Sequence, residues 1–181
     1  MAEEKTISSR YLFKGRAFDV RVDTVKTADG RKSSREIVEH KPCIAVIPVD
    51  AEGDILLVRQ YRKAIEKELL EIPAGGIEPG EDPDATVGRE LQEEIGYIPG
   101  RVQRIGGFYS SPGYSSEYLY LYLATELKPS QLYAEDTAGI TIIRVKPRRI
   151  RKMIREGIIC DAKSIAGLLY FLGYRKKYLT A

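Results

Sequence analysis

Apolar and charged residues alternate near the N-terminus and predict a β meander. Over residues 10–27 the spacing is that of a half-buried strand. The apolar members are Phe18, Val20, Val22 and Val25. Residues 28–30, Ala-Asp-Gly, predict a hairpin turn because Asp-Gly accepts the positive φ values that such turns require, and the returning strand runs into residues 35–38. Residues 1–9 are polar, and we predict a flexible tail there.

The middle of the chain carries runs that are long enough for buried strands. Residues 43–50, CIAVIPVD, are almost continuously apolar and predict a strand buried on both faces. Residues 55–62 return after a polar turn, and residues 101–113 and 117–127 predict two further strands. Tyrosine alternates with leucine in the last of these strands, which is typical of a half-buried strand. A stacking surface for a nucleobase is the alternative interpretation.

One helix interrupts the strands. Asp82 can cap its start, and Pro83 suits the first helical position because no amide hydrogen is needed there. Gly96 suits the left-handed residue just past the end of the helix. Local chemistry therefore predicts a helix from Pro83 to Ile95.

Two more helices close the chain. Residues 147–157 place apolar side chains on one face and basic side chains around the rest, and Asp161 caps a helix with apolar residues at core spacing. The basic face has no aromatic platform, so a solvated helix face is favoured over an RNA-binding surface and we expect no nucleic-acid partner. A series of strands that is interrupted by one helix and followed by two C-terminal helices predicts an α/β fold with a mixed sheet between helices.

Three glutamates crowd one flank of the central helix. Residues three and four apart are neighbours on a helix, so Glu90, Glu93 and Glu94 share a small area. Arg89 can pair with Glu93, but one guanidinium cannot neutralise three carboxylates. An all-oxygen cluster of this kind is the ligand set that magnesium and manganese prefer. A solvated acidic helix face is the alternative while the cluster is considered alone.

The spacing of the whole stretch decides between these alternatives. Residues 75–97, GGIEPGEDPDATVGRELQEEIGY, resemble the signature of the Nudix hydrolase family at every fixed position. The resemblance implies a Nudix-type α/β/α sandwich with a mixed sheet and an N-terminal antiparallel meander. It also implies metal-dependent hydrolysis of a nucleoside diphosphate linked to another moiety.

Further segments resemble the ADP-ribose pyrophosphatase branch of that family. They are residues 35–49, 56–81 and 109–117, together with a proline fifteen residues past the signature, Pro112. The likeness covers roughly residues 10–172. We accordingly divide the chain into a tail (residues 1–9), a meander that forms a dimer (residues 10–40) and a Nudix hydrolase domain (residues 41–181).

The resemblance assigns roles in metal binding and catalysis. Glu90, Glu93, Glu94 and the carbonyl of Ala74 are implied to hold Mg²⁺ or Mn²⁺, and Arg89 is implied to orient the glutamates. The branch usually places glutamates just before the strand that begins here at Ile140, but this sequence has Ala138 and Gly139 there. The catalytic base is therefore open: it is Glu135 or Asp136 from the preceding loop, or Glu93, or Glu117.

The same resemblance assigns substrate-binding residues. Arg62 is implied to contact the pyrophosphate or ribose, because a guanidinium suits a phosphate, while a solvated strand-end arginine is the alternative. The other implied contacts are Arg35, Glu36, Pro112 and Glu117. In this branch the N-terminal sheet exchanges across a homodimer and completes the partner's substrate site, so a homodimer is implied.

The composition of the chain serves only to exclude some classes of protein. With 181 residues, 30% charged residues and a net charge of +3, the chain is an ordinary globular protein without a clear polyanion partner. Its two cysteines do not suggest a disulfide framework, and no apolar run is long enough to span a membrane. We expect a cytoplasmic enzyme without a membrane partner.

The expected reaction is hydrolysis of ADP-ribose to AMP and ribose 5-phosphate. One alternative is another nucleotide sugar, such as GDP-mannose. A second alternative is a Nudix-fold sensor that binds ADP-ribose but has lost hydrolysis. The complete signature argues against the sensor, whereas the missing loop glutamate favours it.

Overall fold

The computed structural model describes residues 3–134 and 137–179. The chain divides into two units, one made of Met1–Pro42 with Tyr109–Tyr118 and the other of Cys43–Phe108 with Leu119–Ala181. The larger unit contains the predicted helix and its glutamates.

The smaller unit contains a three-stranded antiparallel sheet in the order β1-β2-β3. Its strands are β1 (Lys5–Lys14), β2 (Phe18–Lys26) and β3 (Lys32–His40). The predicted hairpin turn is confirmed: Gly30 has a φ of 85° and its N–H donates to the carbonyl of Thr27 at 2.8 Å. All ten residues of β1 are exposed in the single chain.

The flexible tail predicted for residues 1–9 is wrong from Lys5 onward, because β1 begins there. The alternation predicted over residues 10–27 also spans two strands, since the chain reverses between Lys14 and Phe18. Serines at positions 8 and 9 hide the strand pattern in the sequence. Backbone pairing with β2 holds these residues in place, and such pairing leaves no apolar signature.

The larger unit contains two sheets. One has the order β7-β4-β9-β8 and is mixed, because β4 pairs antiparallel with β7 and parallel with β9. Its strands are β4 (Cys43–Pro48), β7 (Ala74–Gly76), β8 (Tyr97–Tyr109) and β9 (Tyr118–Pro129). The other is antiparallel in the order β10-β5-β6. Its strands are β5 (Ile55–Arg62), β6 (Lys67–Glu71) and β10 (Thr141–Val145).

Three helices pack on these sheets: α1 (Pro83–Ile95), α2 (Pro147–Arg155) and α3 (Ala162–Leu179). The predicted bounds of α1 are confirmed. Asp82 accepts a hydrogen bond from the N–H of Asp84 at 2.8 Å, and Gly96 has a left-handed φ of 70°. These caps satisfy backbone groups that a helix end leaves without partners.

Strand β4 is buried on both faces, as its apolar sequence predicts. Ile44 and Val46 pack into a cluster with residues of α1, whereas Ala45 and Ile47 pack into a second cluster with residues of α2 and α3. The helix residues are Val87, Leu91 and Ile95 on one side and Ile150, Met153, Leu168 and Phe171 on the other. The layers are therefore helix, sheet and helix, which confirms the predicted α/β/α sandwich.

Among the described residues, no helix is both long enough and apolar enough to cross a membrane.

The C-terminal cap of α1 can be tested with two glycines of the same region. Gly96→Ala should lower the free energy of unfolding by about 1–2 kcal/mol, because a side chain at left-handed φ is strained. Its Cβ would also overlap the side chain of Gln131. Gly88→Ala, inside the helix with nothing within 4 Å of the added carbon, should raise it by up to about 1 kcal/mol.

Urea denaturation measures both variants. Equal effects of the two substitutions would contradict the assigned cap.

Candidate active site

The glutamates of α1 face a pocket of about 440 Å³ in the larger unit. Its lining combines the end of β5, the glycine-containing strand β7 and one flank of α1. The lining residues are Gln60, Arg62, Ala74, Gly75, Glu78, Arg89, Glu90, Glu93, Glu94, Ala134 and Thr137. The three predicted metal-ligating glutamates and Ala74 are thus brought to one place.

Arg89 organises the outer part of this cluster. Its Nε donates to Glu81 at 2.9 Å, and its Nη1 donates to Glu90 at 2.8 Å and to Glu93 at 3.1 Å. Its Nη2 donates to the carbonyl of Gly76 at 3.1 Å. Because these bonds occupy the guanidinium, Arg89 orients carboxylates, and its geometry agrees with the orienting role expected from the sequence.

The ion pair of Arg89 with Glu81 perturbs both groups. The hydrogen bond from Arg89 lowers the pKa of Glu81 to about 2, and the bond with Glu81 raises the pKa of Arg89 further above its usual value. Glu81 is eight residues from Arg89 along the chain and precedes the helix. The loop before α1 and the glutamates of α1 are therefore hydrogen-bonded to the same guanidinium.

Among the described residues, no cation is hydrogen-bonded to Glu94 as Arg89 is to Glu90 and Glu93. Glu94 accepts a hydrogen bond from the N–H of Ala74 at 3.3 Å. Burial, followed by the negative charge of Glu90, raises the pKa of Glu94 to about 8, although Ala74, Arg62 and Lys163 act in the opposite direction. The site therefore favours a proton or a cation at this carboxylate.

Gly75 lets the backbone approach Glu90 closely. Glu90 is only 8% exposed, and a Cβ at Gly75 would overlap its carboxylate group. At the adjacent Gly76, a Cβ would meet nothing within 4 Å. The first glycine is therefore required by the position of Glu90, whereas the second is not.

A second charged cluster lies at the end of β5 and β6. Arg62 donates Nε and Nη2 to the two carboxylate oxygens of Glu71 at 2.8 and 2.6 Å. Lys163 on α3 donates to the same carboxylate, and Glu71 is 1% exposed. No pattern in the sequence identified Lys163 as part of this cluster. Asp161, two residues before Lys163, was predicted to cap this helix, and no other local pattern in the sequence marks this position.

The donor set fits a hard divalent cation. It consists of carboxylate oxygens from Glu90, Glu93 and Glu94 beside the backbone of Ala74. Oxygen ligands of this kind suit Mg²⁺ and Mn²⁺ better than softer metals. A cation would also offset the burial and the negative charge of Glu90, which together raise the pKa of Glu94.

Four other predicted site residues are not among the described residues that line this pocket. Arg35, Glu36, Pro112 and Glu117 belong to the smaller unit, where Arg35 is hydrogen-bonded to Glu4 at 3.0 Å. The two loop candidates for the base, Glu135 and Asp136, lie outside the described residues. Their sequence neighbours Ala134 and Thr137 line the pocket.

Comparison with known families agrees with this geometry. The NUDIX domain model matches residues 39–148, and the model of the nucleoside diphosphate sugar hydrolase N-terminal domain matches residues 4–38. The chain belongs to the Nudix family, whose hydrolases generally need a divalent metal ion. It is a Nudix hydrolase with the additional N-terminal domain.

Individual relatives are similar along most of the chain. An ADP-ribose pyrophosphatase of Bacillus subtilis (strain 168) is 37% identical over 170 residues, covering 93% of this chain and 92% of the relative. A methanol dehydrogenase activator of Bacillus methanolicus is 38% identical over 170 residues, with the same two coverages of 93% and 92%. The crystal structure of an ADP compounds hydrolase superposes with a TM-score of 0.88 at 18% identity, covering 97% of this chain and 95% of that one, which shows the shared fold.

The close approach at Gly75 gives a test with a matched control. Gly75→Ala should displace the Glu90 carboxylate and weaken Mg²⁺ binding by about tenfold or more, because this carboxylate is one of the predicted cation ligands. Gly76→Ala, where the added carbon meets no atom within 4 Å, should change the affinity by less than about twofold. Isothermal titration with Mg²⁺ measures both, and equal affinities in the two variants would contradict the role of Glu90.

The raised pKa of Glu94 gives a second test, in metal-free protein. The folded state holds this proton more tightly than the unfolded state, whose carboxyl has the ordinary pKa of 4.5. Stability should therefore fall by roughly 1–3 kcal/mol as the pH rises from about 5 to about 8. Glu94→Gln should lack this contribution.

Urea denaturation in EDTA across this pH range measures the difference between the wild type and Glu94→Gln, so that other titrating groups cancel. Parallel stability curves for the two proteins would show that Glu94 is not the perturbed group.

Proposed function

We propose that this protein hydrolyses the pyrophosphate bond of ADP-ribose, or of a closely related nucleoside diphosphate sugar, and gives AMP and ribose 5-phosphate from ADP-ribose. The observation that carries the proposal is one pocket with three carboxylates on one wall and Arg62 on another. This arrangement suits a cation-bound diphosphate. The name of the Bacillus subtilis relative supports ADP-ribose as the substrate.

The metal is Mg²⁺ or Mn²⁺, held by Glu90, Glu93, Glu94 and the backbone carbonyl of Ala74. When bound, such a cation neutralises phosphate charge and makes a bound water more acidic. The raised pKa of Glu94 supports this assignment, because burial and the charge of Glu90 disfavour an anion there without a counter-ion.

Arg89 and Arg62 have different tasks in this reaction. Arg89 holds Glu90 and Glu93 by hydrogen bonds of 2.8 and 3.1 Å, so that the carboxylates stay aligned without ligand. Arg62 uses one edge of its guanidinium for Glu71, and its remaining N–H groups donate to a phosphate oxygen of the substrate.

The hydrolytic step requires a base. A water oxygen forms a bond to one phosphorus while the bridging P–O bond breaks, the base takes the water's proton, and the leaving phosphate retains the bridging oxygen. Glu93, Glu135, Asp136 and Glu117 are the candidates. Glu93 lines the pocket, and so do Ala134 and Thr137, the sequence neighbours of the two loop carboxylates.

The N-terminal sheet is proposed to form a homodimer and to supply Arg35 and Glu36 to the partner's substrate site, with Pro112 and Glu117 as further substrate contacts. The family match of residues 4–38 supports a role for this sheet in nucleotide-sugar hydrolysis. Exposed apolar side chains on β1 support association, among them Ile7, Leu12 and Phe13, each at least half exposed. A cytoplasmic location is proposed because the sequence has only two cysteines, Cys43 and Cys160, which do not suggest a disulfide framework.

Product analysis tests the proposed reaction. Purified protein with ADP-ribose and Mg²⁺ should release AMP, whereas the same mixture with EDTA should not. GDP-mannose in a parallel assay determines the preference for base and sugar. Binding of ADP-ribose without turnover would support the sensor alternative and overturn the proposed hydrolysis.

Glu94→Gln tests the proposed metal ligand in the same assay. Turnover should fall by at least about 100-fold while the fold persists, because a charged ligand is lost. Glu52→Gln, on the exposed turn after β4, is the matched control and should retain wild-type activity. A Glu94→Gln enzyme with a rate near that of the wild type would contradict the metal assignment.

A further inference from the structure

Four side chains of alternating charge, here called the charge network, connect α3 to the pocket and are separate from the Arg89 cluster. Arg62 at the end of β5 donates Nε and Nη2 to Glu71 at 2.8 and 2.6 Å. Lys163 in the first turn of α3 donates Nζ to Glu71 and also to Asp161, the latter at 3.0 Å. The order is therefore cation, carboxylate, cation, carboxylate.

The centre of the charge network is buried. The side chain of Glu71 is 1% exposed and that of Lys163 is 14% exposed, whereas that of Arg62 is 39% exposed. A buried carboxylate is stable as an anion only when it is paired and hydrogen-bonded. Burial alone would raise the pKa of Glu71, but the hydrogen bond from Arg62 and the charge of Lys163 lower it below its usual value. Both cations therefore hold Glu71 as an anion.

Lys163 is itself fixed from the opposite side. Asp161 Oδ2, which accepts from Lys163, also accepts from the N–H of Ser164 at 2.9 Å and from its hydroxyl at 2.6 Å. The Ser164 hydroxyl accepts a hydrogen bond from the N–H of Ile72 at 2.9 Å. Ile72 directly follows Glu71, so the start of α3 is bound to the end of β6 at two adjacent residues.

Of the four residues in the charge network, only Arg62 lines the pocket. Arg62 lines it together with Ala74 and Glu94, whereas Lys163, Glu71 and Asp161 do not. The bonds to Glu71 use Nε and Nη2, and among the described residues Nη1 has no hydrogen-bond partner. A guanidinium held on one edge offers the other edge to an anion with little further loss of rotamer freedom.

We propose that Lys163 is a positioning residue: it holds Glu71 and, through Glu71, fixes Arg62 so that Nη1 donates to a phosphate group of the substrate. The identity of that ligand rests on the proposed function. Lys163 does not touch the substrate, and its effect on binding passes through Arg62.

A double-mutant cycle tests this coupling. The ligand is α,β-methylene ADP-ribose, whose bridging carbon resists hydrolysis, and its dissociation constant is measured with Mg²⁺ by isothermal titration. Lys163→Met should raise this constant by about tenfold in the otherwise wild-type protein. In an Arg62→Ala background the same substitution should change it by less than about twofold, because the group that Lys163 positions is absent.

Two further measurements separate positioning from a general loss of structure. The Mg²⁺ affinity of Lys163→Met without nucleotide should stay within about threefold of wild type, because Arg89 and not Lys163 holds Glu90 and Glu93. Lys163→Arg, which keeps the charge, should recover most of the lost affinity. Lys152→Met, on the exposed face of α2, is the matched control. If Lys163→Met does not fold, Lys163→Gln takes its place in the cycle.

An equal effect of Lys163→Met in both backgrounds, or no effect in either, overturns the proposal. A wild-type protein that binds the analogue but releases no AMP from ADP-ribose refutes the proposed hydrolysis, and the cycle still decides the role of Lys163. A wild-type protein that does not bind the analogue overturns the positioning proposal itself.

Discussion

The repulsion among the glutamates of α1 is the constraint on which the site depends. Glu90, Glu93 and Glu94 project from adjacent turns toward one pocket, and a single guanidinium pairs with two of them. In the part of the chain that the structure describes, no cation is hydrogen-bonded to Glu94, and burial with the charge of Glu90 raises its pKa to about 8. The fold thus holds a buried carboxylate whose charged form is disfavoured, and we propose that a bound cation stabilises this arrangement. A carboxylate with a strongly perturbed pKa is typical of functional sites.

The fold makes this arrangement possible by fixing α1 independently of its charges. One face of β4 packs on Val87, Leu91 and Ile95, and burial of each such side chain contributes about 1.5–3 kcal/mol. The opposite face packs on α2 and α3. Because α3 also carries Lys163, the helix that packs on the core also contacts Glu71, which in turn accepts hydrogen bonds from Arg62 in the pocket. Core packing and site geometry are therefore determined by the same elements.

Local signals in the sequence predicted some of these features and not others. The bounds of α1 were predictable because Asp82 and Gly96 act within one turn of the helix. The contact of Lys163 with Glu71 spans 92 residues, and no local pattern specifies it. The start of β1 was missed because backbone pairing defines it, without an apolar stripe. The glutamate cluster could be assigned from spacing, but the hydrogen bond from Arg89 to Glu81 crosses a loop, and no local pattern specifies it.

The central claim is that the carboxylates of Glu90 and Glu94 bind a divalent cation together. Anomalous diffraction from crystals soaked in Mn²⁺ tests it most directly, because the signal locates the ion without reference to activity. The account predicts an anomalous peak in the pocket, within bonding distance of carboxylate oxygens of both residues. A peak found only elsewhere on the protein, or no peak at saturating Mn²⁺, would contradict the account.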